Sequence, residues 1–262
     1  MAYGKRRVKN GFRELRSKCI VKKCISQKDN SKTHRKIHKR KEMNCSAVFF
    51  DLDGTLLDTL EDLADAGNEV LQRQGYPPHA VEKYNYFVGD GLQTLIDRIL
   101  PEGATEGELE ESVALFKSIY GQNWHRKTKP YDGIPSLLDQ LQDAQIRLAI
   151  LSNKPHDFTQ MCVQHYFPDT SFEIVLGQRS GIPKKPDPAG AVELAKKINL
   201  EPEHCVFVGD TGGDMQTGKR AGMQTIGVLW GFRNANELRM NGADLLVSTP
   251  AELARILCAR DS

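Results

Sequence analysis

The chain has 262 residues, of which 27% are charged and 39% hydrophobic, and its formal net charge at pH 7 is +2. These proportions are typical of a globular protein and exclude disorder over the whole chain. No apolar run approaches the ~18 residues that a membrane-spanning helix needs. Six cysteines are too few for a disulfide framework in a chain of this length, so we expect reduced thiols and a cytoplasmic location.

The charge is distributed unevenly along the chain. Residues 1–45 hold 16 Lys and Arg residues against three acidic ones, whereas residues 46–262 hold 20 basic and 31 acidic residues. Because the first 45 residues lack a sustained apolar period, we predict a basic, disordered arm at 1–45. Four interpretations of this arm stay open: solvated disorder with no specific role, binding to nucleic acid or another anionic surface, a nuclear-localisation-like run at His34–Lys41, and an upstream start to a protein that begins at Met43.

This arm contains two cysteines and two histidines in the order found in a zinc finger: Cys19, Cys24, His34 and His38. The central spacer has nine residues, whereas a finger usually has ~12 there. The segment between the second cysteine and the first histidine also lacks the apolar positions of a finger core. The spacing therefore does not predict a zinc site.

From residue 46 onwards, short apolar runs alternate with helical periodicity. The runs predict six buried strands, at Ala47–Phe50, Ile146–Leu151, Glu173–Leu176, Cys205–Val208, Thr225–Leu229 and Leu245–Val247. The periodicity predicts helices at Leu60–Gln74, Pro135–Ala144, Phe158–Tyr166, Pro188–Ile198, Asp214–Ala221 and Ala251–Leu257. Strands and helices that alternate at this spacing form βαβ units, so we predict an α/β fold with a parallel sheet and functional loops at the carboxyl ends of its strands.

One stretch breaks this alternation. Some 95 residues separate the first two strands, although a crossover needs only about a dozen. The stretch has a helical pattern, clearest at Leu92–Leu100 and Glu106–Tyr120, and it returns through a hinge at Thr128–Gly133. We therefore predict a helical cap domain at 59–129, inserted after the first strand, and a core formed by 46–58 and 130–262.

Four polar motifs each come after a predicted strand: Asp51-Leu52-Asp53-Gly54-Thr55, Ser152-Asn153, Lys184-Lys185-Pro186-Asp187-Pro188 and Gly209-Asp210-Thr211-Gly212-Gly213-Asp214. Two carboxylates on the same side of an extended segment repel each other unless a cation lies between them, and Mg²⁺ prefers such hard oxygen ligands. Hydroxyl and amide groups donate to phosphoryl oxygens, and lysine supplies a point charge for phosphate. Each motif alone is unspecific, but the four in this order indicate a site for a divalent cation and a phosphate.

The motifs resemble those of the haloacid dehalogenase superfamily over residues 46–258: FFDLDGTLLDT at 49–59, LSNKP at 151–155, KKPDP at 184–188 and VGDTGGDM at 208–215. The resemblance implies a Rossmann-like core with a helical cap, Mg²⁺ as cofactor and an aspartyl-phosphate intermediate. It implies that Asp51 is the nucleophile and Asp53 the general acid and base. It also implies that Ser152 binds the phosphoryl group and that Lys185 balances charge.

By the same resemblance, the Mg²⁺ ligands are Asp51, the carbonyl group of Asp53 and Asp210, with Asp214 as a further ligand or a supporting acid. Gly54 and Asn153 would contact the phosphate. Lys184 is expected to be solvated. Since dehalogenases and phosphonatases of this superfamily usually lack an acid at the position of Asp53, its presence favours phosphate-ester hydrolysis.

The cap indicates the substrate less clearly than the core indicates the chemistry. The segments VGDGLQTLIDRIL at 88–100 and KPDPAG at 185–190 look like those of phosphoglycolate phosphatases. This resemblance makes 2-phosphoglycolate the best candidate substrate and Gly91 and Arg98 candidate binding residues, although a plain helix start and a solvated arginine are the simpler interpretations. The core motifs are equally compatible with a β-phosphoglucomutase-like phosphotransferase and with a sugar-phosphate or pyrophosphate hydrolase. We expect a monomer or a homodimer.

Overall fold

A computed structural model describes residues 45–259. The candidate zinc ligands, the run at His34–Lys41, the candidate start at Met43 and the rest of the basic arm up to residue 44 lie outside the described residues. Eight strands are present in the described part: β1 (Ala47–Phe50), β2 (Leu57–Asp58), β3 (Lys129–Pro130), β4 (Arg147–Pro155), β5 (Phe172–Gln178), β6 (Cys205–Gly209), β7 (Gln224–Val228) and β8 (Leu245–Val247).

Ten α-helices connect and cover these strands in residues 45–259: α1 (Leu60–Arg73), α2 (Val81–Phe87), α3 (Leu92–Ile99), α4 (Glu106–Asn123), α5 (Ile134–Asp143), α6 (His156–Tyr166), α7 (Ala189–Lys197), α8 (Gly212–Ala221), α9 (Ala235–Met240) and α10 (Pro250–Leu257). Threonine side chains fix the starts of α4 and α8, because Thr105 and Thr211 each accept a hydrogen bond from the backbone three residues on. Within the described residues, no helix is both long and apolar enough to cross a bilayer.

Six of the strands form one sheet in the order β5-β4-β1-β6-β7-β8, and every pairing in it is parallel. The α/β fold with a Rossmann-like parallel sheet is therefore confirmed. β1 lies between β4 and β6, so that Phe50 is in register with Ile150 on one side and Val208 on the other. The chain segments that follow these three central strands consequently emerge side by side.

Both faces of the sheet are covered by helices, as the continuous apolar runs predict. All four side chains of β1 are fully buried, and they alternate between the two faces. Val48 and Phe50 belong to a cluster that also holds Leu138 of α5 and Leu253 of α10. On the opposite face, Phe49 packs in a second cluster with residues of α7 and α8.

Helices α1 to α4 lie between β2 and β3 in the chain. These two short strands pair antiparallel, with Leu57 opposite Pro130 and Asp58 opposite Lys129, and they hold the two ends of the helical segment together. Apolar side chains of these helices, such as Leu63 and Phe116, share one buried cluster with the sheet. The helical segment thus packs directly on the edge of the sheet where the polar motifs lie.

Several element boundaries differ from the expectations. β4 runs four residues beyond Leu151, because β5 pairs with it as far as Pro155 and Gln178 after an irregularity in register. Ser152 and Asn153 therefore lie inside the last part of β4, and the prediction that they follow the strand is wrong. Helices α2 and α9 and the β2–β3 pair were not predicted, since segments of seven, six and two residues are too short to show a period.

Candidate active site

Three buried carboxylates meet at the carboxyl edge of the sheet. Asp51 follows β1, Asp210 follows β6, and Asp214 lies in the first turn of α8. One carboxylate oxygen from each lies within 4.8 Å of the others. The neighbouring positions of β1 and β6 bring these residues together although about 160 residues separate them in the chain.

The ammonium group of Lys185 lies among these carboxylates. Its Nζ atom is 2.8 Å from Asp51 Oδ1 and 2.6 Å from Asp214 Oδ1, and the side chain is only 4% exposed. The loop that carries Lys185 is fixed by Asn153, whose Oδ1 accepts from the Lys185 backbone N–H at 2.8 Å and whose Nδ2 donates to the Lys185 carbonyl at 3.1 Å. One buried cation therefore lies between two carboxylates of a cluster of three.

Burial raises the pKa values of two acids in this cluster, Asp51 and Asp210. It raises the pKa of Asp51 to about 7; Lys185 acts in the opposite direction, and the nearby Asp214 adds to the increase. Burial and the other two carboxylates also raise the pKa of Asp210 well above its usual range. Buried charges of one sign are costly unless a counter-charge is present. A group of hard oxygen donors with excess negative charge fits Mg²⁺, so the residues present suit the cofactor that the motifs imply.

Neutral hydrogen-bond donors help to orient the carboxylates of Asp210 and Asp214. Asp210 accepts from the Thr55 hydroxyl at 3.0 Å and from the Phe232 backbone N–H at 2.8 Å. Asp214 Oδ2 accepts from the backbone N–H and the hydroxyl of Thr211 at 3.0 and 2.6 Å. Asp214 is thus held by the helix cap and by Lys185, and Asp210 is held by the loops after β1 and β7.

Two glycines allow the loops around Asp210 to approach so closely. Gly54 has φ +83°, and a Cβ atom there would lie 2.4 Å from Asp210 Oδ2. A Cβ atom at Gly231 would lie 2.2 Å from the Gly54 carbonyl oxygen. The positive φ of Gly54 lets the backbone turn sharply after Asp53, a conformation that glycine adopts without strain. Gly231 was not singled out in the sequence, because its role depends on a contact with a segment almost 180 residues away.

A partly open cavity lies beside the carboxylates, between the sheet edge and the helical segment. Core residues with polar groups line one wall: Asp51, Asp53, Ser152, Asn153 and Lys154. Residues of the helical segment line the opposite wall, and most of them are apolar: Leu63, Val88, Gly89, Gly91, Leu92, Leu95, Phe116 and Tyr120. The cavity is therefore polar at the sheet edge and apolar towards the helical segment.

Lys154 is a functional candidate that the sequence did not reveal. Its Nζ atom lies 3.0 and 3.3 Å from the two carboxylate oxygens of Asp53 and donates to the Tyr120 hydroxyl at 2.8 Å. Burial alone would lower the pKa of Lys154, but Asp53 and Tyr120 outweigh it and the pKa is raised, so the side chain stays an ammonium ion. The only signal in the sequence was its place directly after Ser152-Asn153.

The remaining predicted residues occupy different surroundings. Gly91 lines the cavity, with φ +87° at the start of α3. Asn153 also lines it, but its side-chain amide is occupied by the backbones of Gly89 and Lys185, so a phosphate contact would fall to its main chain. Arg98 does not line this cavity, because its guanidinium group binds Asp90 at 2.5 Å and two backbone carbonyls within the helical segment.

Lys184 is exposed, as expected, but its ammonium group is not simply solvated. It donates to the carbonyl oxygen of Asp90 and to the hydroxyl of Thr94, both at 2.6 Å. The two adjacent lysines therefore have separate surroundings: Lys185 lies among the carboxylates, and Lys184 binds the helical segment.

Fold, motifs and comparison with known proteins agree on one family. A family model described as haloacid dehalogenase-like hydrolase matches residues 48–228. This range covers more than half of the chain and contains all four motifs. The protein belongs to the haloacid dehalogenase-like hydrolases.

Within this family the chain is similar to phosphoglycolate phosphatases. It is 31% identical over 205 residues to the phosphoglycolate phosphatase of Pseudomonas putida, a match that covers 76% of this chain and 75% of that protein. It is 33% identical over 204 residues to that of Psychrobacter arcticus, which covers 75% of this chain and 89% of that protein. The crystal structure of a predicted phosphoglycolate phosphatase from Haemophilus somnus has 27% identity and a TM-score of 0.76, covering 81% of this chain and 98% of that one.

Proposed function

We propose that this protein is a Mg²⁺-dependent phosphatase of small phosphorylated metabolites, with 2-phosphoglycolate as the best candidate substrate. The observation that carries the proposal is the buried cluster of Asp51, Asp210 and Asp214, with Lys185 between the first and the last of them, next to a cavity that Asp51 and Asp53 line. The similarity to phosphoglycolate phosphatases over three quarters of the chain supports the choice of substrate.

Asp51, the carbonyl group of Asp53 and Asp210 would hold Mg²⁺, with Asp214 supporting them. The ion supplies positive charge that offsets the repulsion between the attacking carboxylate and the phosphate. Lys185 adds a second positive charge at the same place, since its ammonium group already lies 2.8 Å from the Asp51 carboxylate. Ser152 and the backbone N–H groups near Gly54 would donate to the phosphoryl oxygens.

The reaction proceeds in two transfers of the phosphoryl group. First, a carboxylate oxygen of Asp51 attacks phosphorus, the ester P–O bond breaks, and the leaving alcohol oxygen takes a proton from Asp53. Second, a water oxygen attacks the phosphorus of the aspartyl phosphate while the Asp53 carboxylate accepts a proton from that water. The bond between phosphorus and Asp51 then breaks, which releases inorganic phosphate and regenerates both acids.

We further propose that residues 59–129 act as the cap of this site and that the core comprises 46–58 and 130–262. The pairing of β2 with β3 at both ends of this segment supports these boundaries. Several cap side chains line the cavity wall opposite Asp53, so they would exclude water from the bound ester. A cytoplasmic location is part of the same proposal, and the thiols of Cys162 and Cys205, which form no disulfide, are compatible with it.

A panel of phosphorylated metabolites, assayed with Mg²⁺ and with a chelator, tests the proposed function. We expect release of inorganic phosphate from 2-phosphoglycolate that stops when the metal is removed. Turnover of other esters but not of 2-phosphoglycolate would reject the substrate and retain the phosphatase. An isomeric phosphate ester formed without free phosphate would instead indicate the phosphotransferase alternative.

A further inference from the structure

The catalytic acid and the cap are joined by a single buried side chain. Lys154 is 3% exposed and Asp53 12% exposed at the side chain, and their ion pair lies inside the cavity. The same ammonium group donates to the hydroxyl of Tyr120, on cap helix α4. Lys154 therefore contacts a residue of the core and a residue of the cap with one nitrogen atom.

The surroundings of Tyr120 make its hydroxyl a fixed acceptor. The ring is fully buried, stacks on Phe116 at a centroid distance of 5.5 Å, and meets the edge of Phe158 of α6 at 5.1 Å. Nζ of Lys154 also lies 4.7 Å from the centroid of the Tyr120 ring. The position of the ammonium group consequently depends on α4 being packed against the core.

A carboxylate that transfers a proton needs a defined orientation. Asp53 must point one oxygen at the ester oxygen during the first transfer and at water during the second. A misplaced catalytic group loses much of the advantage of proximity. Among residues 45–259, Lys154 is the only side chain that forms a salt bridge or a hydrogen bond with the Asp53 carboxylate.

We propose that Lys154 is a positioning residue, which holds the Asp53 carboxyl group in its catalytic orientation and does so fully only when Tyr120 is packed in place. This inference rests on the proposed function, because it assigns Lys154 to the proton-transfer step. The inference links closure of the cap to proton transfer. When the cap opens, the ammonium group of Lys154 loses the Tyr120 hydroxyl, and the Asp53 carboxylate is then held less firmly.

The leaving group of the substrate separates this role from a purely structural one. An alkyl phosphate needs protonation of its leaving oxygen, whereas p-nitrophenyl phosphate has a leaving group that departs without much help. A defect in proton transfer to the leaving group should therefore reduce kcat/KM for the alkyl ester far more than for the aryl ester, because kcat/KM reports the first transfer only. A general loss of structure should reduce both equally.

The test compares Lys154→Met and Tyr120→Phe with wild type on p-nitrophenyl phosphate and on the alkyl phosphate that wild type hydrolyses fastest. For Lys154→Met we expect kcat/KM, which reports the first transfer, to fall by at least about tenfold for the alkyl ester and by less than about threefold for the aryl ester. Tyr120→Phe should show the same selectivity with a smaller loss, because it removes only the hydroxyl group. Lys127→Met is the matched control, since Lys127 also pairs with carboxylates, at 2.8 Å from Asp65, but is half exposed at the surface.

A double-mutant comparison keeps the test decisive if single variants lose stability. In an Asp53→Asn background, Lys154→Met should cause no further loss of kcat if it acts only through Asp53. Equal losses of kcat/KM on both esters, or additive losses in the double variant, would overturn this proposal and leave the phosphatase intact. A wild-type protein that hydrolyses neither ester would overturn the proposed function itself.

Discussion

Asn153, near the end of β4, donates a hydrogen bond of 3.0 Å to the carbonyl oxygen of Gly89, in the loop between α2 and α3. The neighbouring carbonyls in that loop are bound in the same way: Arg233 donates to Val88 at 3.0 Å and Lys184 donates to Asp90 at 2.6 Å. Three consecutive cap carbonyls are thus each bound by a side chain from a different core segment. Because Val88 and Gly89 also line the cavity, the core itself fixes the cap wall that faces the substrate.

The two adjacent lysines should have separable effects. We expect Lys184→Met to raise KM a few-fold with little change in kcat, because it loses a contact to the cap loop and leaves the carboxylates untouched. Lys185→Met should lower kcat by about 10²-fold or more, because it removes the cation between Asp51 and Asp214. Steady-state kinetics of both variants check this, and equal losses of kcat would contradict the separation.

Substitution of either aspartate of the first motif should reduce turnover without preventing folding. Asp51→Asn should abolish turnover, and Asp53→Asn should lower kcat by roughly 10²–10⁴-fold, the usual contribution of proton transfer. Neither change should prevent folding; in the metal-free protein, Asp51→Asn relieves repulsion within a crowded buried cluster. Turnover assays with thermal unfolding as the control measure both effects. Near-wild-type turnover of Asp51→Asn would refute its role as nucleophile.

The carboxylate cluster should make the stability of the metal-free protein depend on pH. Since the pKa of Asp51 is raised from 3.8 to about 7 on folding, its contribution to the free energy of unfolding is complete below its unfolded pKa and is lost as pH rises towards 7. Mg²⁺ needs the ionised acids, so its stabilising effect should grow over the same interval. Thermal unfolding with and without Mg²⁺ measures both trends.

Asp51→Asn is the control for that experiment, because an amide does not titrate. The variant should show a shallower fall in stability over the same pH interval and a smaller Mg²⁺-induced shift in Tm. A Mg²⁺ effect of equal size in variant and wild type would mean that the ion binds outside this cluster.

Two glycines with nearly the same positive φ offer a matched test of the close packing around Asp210. Gly54 and Gly75 have φ +83° and +79°, but a Cβ atom would lie 2.4 Å from Asp210 at Gly54 and would meet nothing within 4 Å at Gly75. Gly75→Ala should cost about 1–2 kcal/mol from backbone strain alone. Gly54→Ala should destabilise more and also abolish activity, because it displaces a carboxylate. Equal losses of stability, with activity retained in both, would show that the contact is unimportant.

The local elements of this protein could be predicted because each depends on neighbouring residues. The strand at Ala47–Phe50 is a continuous apolar run, and its four buried side chains need nothing beyond that run to be recognised. The order of the four motifs likewise predicted which acids would meet, since parallel strands bring their carboxyl ends to one edge. Short elements were not predicted. Helix α9, for example, has six residues, which is too short a segment to show helical periodicity.

The class of fold and the family could be inferred without a structure, because apolar periodicity and the spacing of acidic motifs are local properties of the chain. Three contacts became visible in the folded protein alone: Lys154 with Asp53 and Tyr120, Arg98 with Asp90 within the helical segment, and Gly231 with Gly54. The first and the last join segments far apart in the chain, and the second depends on how one loop folds back on a helix. No periodic pattern of residues encodes such pairings, because they are set by how separate segments pack together.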